Sequence, residues 1–474
     1  MTSNVEPDEI RILSPTAILG YGFPESSFQA GLARKPHLIA VDAGSTDPGP
    51  YYLGAGVSFT DRQAVQRDLR HMLVAGRKLG VPVVIGTGGG AGAHPHVTWT
   101  REIIQQIARE EGLRFRLAVI HADVPKDVLL AGLDAGELGP LPPGPEARIE
   151  DVVESTHVVG QMGIEPIMAA LDLGAEVILT GRAYDPAVFA ALPIRHGFDP
   201  GLALHLGKIL ECAGIAATPG SGSDCMLGVL RRDHFLVEPL NPDRSCTVTS
   251  VAAHTLYEKT NPYRLPGPGG LLDLTATTFD QHTDRVVCVA GSTFVPSDGY
   301  TVKIEAAQRV GYRTVSIAGA RDPIFIAQVE EIIEAIRGRV ADNFAHIPAE
   351  DYELLFHLYG KNAVMGSLEP GAEPAHELGI VIEAVAGTQE LANTICAFAR
   401  STMLHHGYPG RISTAGNLAF PYSPSDFKAG EVYRFSLYHL LRVTDPSVLF
   451  PIDLIDITPG PEIAELTTTP EPIP

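Results

Sequence analysis

Residues 37–50 read HLIAVDAGSTDPGP. Four apolar residues in succession, Leu38 to Val41, leave no solvent face, which is the habit of a strand covered on both sides. The chain then turns through Asp42, Gly44, Ser45, Thr46, Asp47 and Gly49. Such residues make an ordinary turn, because Gly, Asp, Ser and Pro each favour one. They also suit the carboxyl end of a parallel strand, where α/β proteins hold their ligands.

The neighbouring segments decide for α/β. RILSPTAIL (11–19), VPVVIGT (81–87) and RLAVIHADV (116–124) repeat the apolar strand pattern, and helices are expected between them over Pro24–Ala33, Asp61–Leu79 and Thr98–Glu111. Val65, Leu69, Met72 and Leu73 recur at helical spacing in the second of these. Strand–helix alternation predicts right-handed βαβ units in a doubly wound, mostly parallel sheet. After a Pro/Gly-rich loop at 136–151 the pattern continues with a loop and helix over 158–174, a strand at 175–182 and an amphipathic helix at 199–213.

Near residue 220 the texture changes to short alternating segments, HFLVEP, RVVCVAGSTFV, YTVKIEAA and YRTVSIAG, which read as antiparallel strands. The expected organisation is therefore an α/β domain over 1–220, a β-rich α+β region over 221–345, and a small α+β domain over 346–456. A Pro/Thr/Glu-rich tail at 457–474 reads as disordered. For a chain of 474 residues, two or three domains are the norm.

Bulk properties exclude several classes. The net charge of −21 and the lack of basic patches argue against nucleic acid. No apolar run approaches the roughly 20 residues a membrane helix needs. The opening MTSNVEPDEI is no signal peptide, and five scattered cysteines without CxxC spacing read as reduced thiols, so a cytoplasmic location is expected. A symmetric homo-oligomer is the usual state for such a protein.

Five strand ends carry chemistry-bearing residues. In GTGGGAGAHPH (86–96), Gly88, Gly89 and Gly90, with Ser45 and Thr46 of the opening stretch, suggest backbone and hydroxyl donors for a phosphate or carboxylate; a tight strand-to-helix turn is the competing account. The spacing is neither a dinucleotide fingerprint nor a P-loop, so NAD and ATP are not indicated. His94 and His96 form an i, i+2 pair able to chelate a divalent metal from an extended segment. His121 is a candidate acid or base. Asp42 can hold a ligand hydroxyl, a proton or a cation, or simply shape an Asx turn. Glu165 precedes a helix, Arg182 offers a fork for an anionic small molecule, and Asp185 orients it. Lys303, Asp224 and Arg313 are weaker candidates. No GxSxG elbow is present.

The segments RILSPTAILGYGFPESSF, VDAGSTDPGPYYLG, GTGGGAGAHPHVTWT, GIEPIMAALDLGAEVILTGRAYD and DCMLGVLRRDHFLVEP together resemble the acyclic terpene utilisation AtuA family, from about residue 10 to about 340, and GRISTAGNLAFPYSPSDF looks like its longer members. The resemblance implies a place in a catabolic pathway that runs through branched acyl-CoA intermediates, with small branched dicarboxylates as a rival substrate class. Two expectations follow. One is a lyase, hydratase or isomerase without a redox cofactor. In it Glu165 or His121 takes a proton, while Arg182 and the Gly88–Gly90 amides steady the charge. A metal-dependent hydrolase is its variant. The other is a non-catalytic subunit that binds acyl-CoA or a pathway partner protein.

Overall fold

The computed structural model describes residues 7–371, 373 and 375–459, and the backbone of 465–466. Most of the expected disordered tail lies outside these residues. Two compact units emerge: residues 1–308 with 435–474, and residues 309–434.

The first unit is built on a sheet whose centre is five parallel strands in the order Ile10–Ser14, Leu38–Asp42, Val83–Gly86, Val177–Thr180, Phe115–Ile120. Alternate residues of each strand point to opposite faces. Ile12, Leu38, Ala40, Val84 and Ile178 enter one core. Leu13, Ile39, Val41, Ile85 and Leu179 enter another. The helices Arg62–Leu79 and His94–Glu111 cover the second face, and Glu165–Asp172, Ala187–Arg195 and Pro200–Leu210 the first. The sheet is thus doubly wound.

Local signals fix these helices. Asp61 caps the Arg62–Leu79 helix by accepting from the amides of Gln63 and Ala64 at 2.9 and 3.1 Å, a contact of about 1 kcal/mol. Val65, Leu69, Met72 and Leu73 are fully buried beneath it, each stabilising by about 1.5–3 kcal/mol. Gly80 ends it in the left-handed conformation.

The structure departs from expectation in three places. Two of the alternating segments after residue 220 extend the same sheet: His234–Pro239 and Val286–Ala290, with the unexpected strands Met226–Leu230 and Thr278–Thr283, add antiparallel in the order Met226–Leu230, His234–Pro239, Val286–Ala290, Thr278–Thr283 next to Ile10–Ser14. YTVKIEAA and YRTVSIAG are one strand, Tyr300–Ala320, because nothing between them breaks the extended backbone. Further strands were not expected. His157–Gly160 pairs with residues 304–307, and Ile452–Ile457 pairs antiparallel with Phe115–Ile120 along the other edge of the large sheet.

The second unit is an antiparallel sheet in which Leu378–Ala386 lies between Tyr352–Tyr359 and residues 312–320. The helices Val329–Asn343 and Gln389–His405 pack on one face around Ile336, Ile380, Ile382, Ile395 and Met403. On the other face Glu383 accepts from Arg313 Nε at 2.7 Å and meets His357 at 3.2 Å. Among the described residues no helix is long and apolar enough to cross a membrane.

Candidate active site

The carboxyl ends of the parallel strands meet at one edge. Ala43 donates to the Gly86 carbonyl at 2.9 Å, Gly88 to Thr180 at 2.8 Å, and Gly181 to Ile120 at 2.7 Å. The loop after Val83–Gly86 leads to a helix on one face, and the loop after its neighbour Val177–Thr180 leads to a helix on the other. That divergence is a topological switch point, where an open α/β sheet forms its crevice.

Two of the three amides expected to cradle an anion are engaged within the fold. The Gly88 amide is spent on Thr180 and the Gly90 amide on the Thr87 carbonyl at 3.0 Å. A Cβ on Gly89 would stand 2.6 Å from the His96 Cβ, and one on Gly90 2.5 Å from the Phe59 ring. At Gly92, with φ +72°, it would stand 2.2 Å from the Arg182 nitrogen. Glycine is needed so that three segments can close on each other and bring Arg182 to the edge.

Arg182 is 3% exposed. Its Nε donates to Glu305 Oε2 at 2.6 Å, and its Nη1 to Asp185 Oδ1 at 2.9 Å and to the Ala183 carbonyl at 2.7 Å. Glu305, fully buried, takes Lys303 Nζ at 2.8 Å and Thr46 Oγ1 at 3.1 Å on its other oxygen. Lys303 Nζ also donates to the Tyr438 hydroxyl at 2.8 Å and lies 4.1 Å from its ring centre. Burial alone would raise the Glu305 carboxyl; the Arg182 and Lys303 charges more than reverse this and hold it at about 2.

A second cluster adjoins. Lys208, 3% exposed, lies on a helix whose residues Gly201 to Leu210 are all buried. Its Nζ donates to Glu211 Oε1 and Glu258 Oε2, each at 2.7 Å. Burial works against the Lys208 charge, but the Glu211 and Glu258 carboxylates outweigh it and raise it. Burial pushes Glu211 up to about 7; Lys208 pulls it down, and Asp185 and Glu258 push against that pull. Glu258 holds a left-handed φ of +76°, a conformation costly for a side chain of this kind.

Arg182, Asp185, Lys208, Glu211, Glu258, Lys303 and Tyr438 all line one cleft of about 880 Å³. Asp42 lies within electrostatic range of Asp185, Arg182 and Glu211. Its Oδ2 accepts from Gly44 at 3.2 Å, and its buried Oδ1 has no partner among the described residues. Burial first, and then the Asp185 carboxylate, push its carboxyl well above the usual range.

Other expected residues go elsewhere. Ser45 accepts from the Asp47 amide at 3.1 Å, closing the turn. Glu165 accepts from the Tyr300 hydroxyl at 2.7 Å, and His121 Nε2 meets Asp453 Oδ2 at 2.8 Å; neither lines the cleft. His94 and His96 do not sit on an extended segment. The helix starts at His94, four residues earlier than expected, with Pro95 in its first turn. Residues i and i+2 of a helix diverge. His94 stacks on His121 with ring centres 5.8 Å apart, and His96 turns inward to the carbonyls of Tyr52 and Val57 at 3.0 and 3.2 Å. Among the described residues no group of three or more His, Cys, Asp or Glu is arranged to hold a metal ion.

Lys208, Glu211, Glu305 and Tyr438 were not foreseen. The signal for the first pair was two charges spaced i, i+3 in an otherwise apolar helix. For Glu305 it was a second charge two residues after Lys303, on a strand with aliphatic neighbours.

A family model described as acyclic terpene utilisation family protein AtuA matches residues 61–224 and 235–423. No curated protein and no solved structure matches the chain.

Proposed function

The chain belongs to the acyclic terpene utilisation protein AtuA family, and from that premise we propose that it is an enzyme of the lyase, hydratase or isomerase kind. It takes a proton from a small branched carboxylic acid or its CoA thioester. The family carries a role in acyclic terpene utilisation, a catabolic setting. The reaction type rests on one observation: carboxyl groups and buried cations alternate along a single cleft at the switch point, the partly exposed Asp185 on Arg182 and the buried Glu211 on Lys208.

Each component has a role. Glu211, held at about 7, exchanges a proton near neutral pH, where a general base is most effective. Arg182 and Lys303 stand at fixed positions with their charges set by Glu305, and electrostatic catalysis needs such preorganised charge. Asp185 orients the guanidinium. The base is assigned to Glu211 in place of Glu165 or His121, because those two are engaged outside the cleft.

Hydrogen exchange tests the reading. The purified chain is incubated in D₂O with branched acids and their CoA thioesters, and mass spectrometry reads deuterium at the α-carbon. Exchange is expected with at least one of them. Glu211→Gln should slow it on the order of 10²- to 10⁴-fold, with the circular dichroism unchanged. Thermal stabilisation by a CoA thioester without exchange, persisting in Glu211→Gln, would instead support a non-catalytic binding subunit.

A further inference from the structure

The strand residue Tyr438 has an unusual setting. Its hydroxyl accepts a hydrogen bond from Lys303 Nζ at 2.8 Å, and the ammonium lies 4.1 Å from the ring centre. Lys303 is itself locked: its second bond goes to Glu305, whose other oxygen is held by Arg182. Thr46 completes the carboxylate from the turn after Leu38–Asp42. The run Arg182–Glu305–Lys303–Tyr438 is therefore one rigid, charge-assisted chain. It starts at the switch point and ends on a phenol that lines the cleft.

A phenol oxygen that already accepts from an ammonium still has its own proton to give. No acceptor for that proton is present among the described residues. The geometry points to Tyr438 as the proton donor of the cleft, a catalytic residue whose hydroxyl serves the oxygen of a substrate carbonyl as it becomes an enolate. The inference rests on the reaction proposed above. In the step, Glu211 carboxylate takes the α-proton as the carbon–hydrogen bond breaks. The electron pair moves through the new carbon–carbon double bond onto the carbonyl oxygen. Tyr438 gives that oxygen its proton, and the negative charge left on the phenolate sits 2.8 Å from the Lys303 ammonium. The reverse transfers regenerate all groups, so no oxidant, reductant or co-reactant is consumed. The substrate class follows: an acid or thioester with a hydrogen on the carbon next to the carbonyl.

Two measurements on the full chain test it. A branched acyl hydroxamate, which imitates an enolate, is titrated calorimetrically beside the matching free acid. Against the wild type, Tyr438→Phe should weaken the hydroxamate about tenfold or more, the loss of a hydrogen bond to a charged group, and the acid less than threefold. In the exchange assay Tyr438→Phe should lower kcat and leave KM unchanged. Replacement by 3-fluorotyrosine, a more acidic phenol, should move the pH profile downward, which a packing role would not do. If the wild type shows no exchange but its hydroxamate binding still needs the Tyr438 hydroxyl, the donor assignment stands and the proton-abstraction reading falls. If Tyr438→Phe exchanges at the wild-type rate, or if both ligands bind that variant as they bind the wild type, or if neither binds the wild type, the assignment is overturned.

Discussion

Glu305 is the residue on which the cleft depends. Two cations, Arg182 and Lys303, converge on one fully buried carboxylate. Removing one partner of a buried ion pair leaves the others uncompensated, at a cost of about 3–5 kcal/mol. Glu305→Gln should show a loss of that size in urea unfolding. The native chain should also carry an acid limb from this group. Its folded value, about 2, lies below its ordinary 4.5. The stabilisation is therefore complete above pH 4.5 and is lost as pH falls toward 2, amounting to about 3 kcal/mol. Unfolding followed across that window should lose this part of its slope in Glu305→Gln. Sequence reading singled out Arg182 and Asp185 because strand ends advertise themselves by composition. It passed over Glu305 because a buried charge inside a strand is recognisable only from its partners, which lie 123 residues away in Arg182 and two residues away in Lys303.

Among elements, the loop from Thr87 to Ala93 shows how one composition can have two causes. Five glycines in the seven residues from Gly86 to Gly92 suggest an anion site, yet the same residues are what three converging segments require. The two causes separate experimentally. Gly80 has φ +67° with nothing within 4 Å of a Cβ, whereas Gly92 has φ +72° and a backbone nitrogen 2.2 Å away. Gly80→Ala should cost about 1–2 kcal/mol for the backbone alone. Gly92→Ala should cost more than twice that or prevent folding, as read by urea unfolding; equal costs would return the loop to the ligand. The parallel strands and their helices were legible because each carries a continuous apolar run or a stripe at helical period. Ile452–Ile457 was not, since Asp453 and Asp456 interrupt it and only pairing with Phe115–Ile120 makes it a strand. The start of the His94 helix was hidden by two histidines and a proline that imitate a loop.

At the scale of the molecule, the far end of the chain closes the edge of the sheet begun by its first hundred residues. Ile455 and Ile457 are buried there, each contributing about 1.5–3 kcal/mol. The pairing also covers the backbone of Phe115–Ile120, an edge that would otherwise invite aggregation. A chain ending at Leu449 should therefore lose several kcal/mol and become prone to association, seen as a lowered unfolding midpoint and light scattering. Full solubility and an unchanged midpoint would mean that the strand is ornamental.

The resident carboxylates of Lys208 carry a last consequence. The ammonium already holds Glu211 and Glu258, so an incoming anion joins a crowd of negative charge at a group poised to titrate near neutrality. Its arrival favours the neutral acid form of Glu211, and the protein draws a hydrogen ion from solution as it binds. The apparent heat of binding then depends on the buffer that surrenders that ion. Calorimetry in phosphate and in Tris, whose heats of ionisation differ, should give different enthalpies for one ligand, and Glu211→Gln should erase the difference.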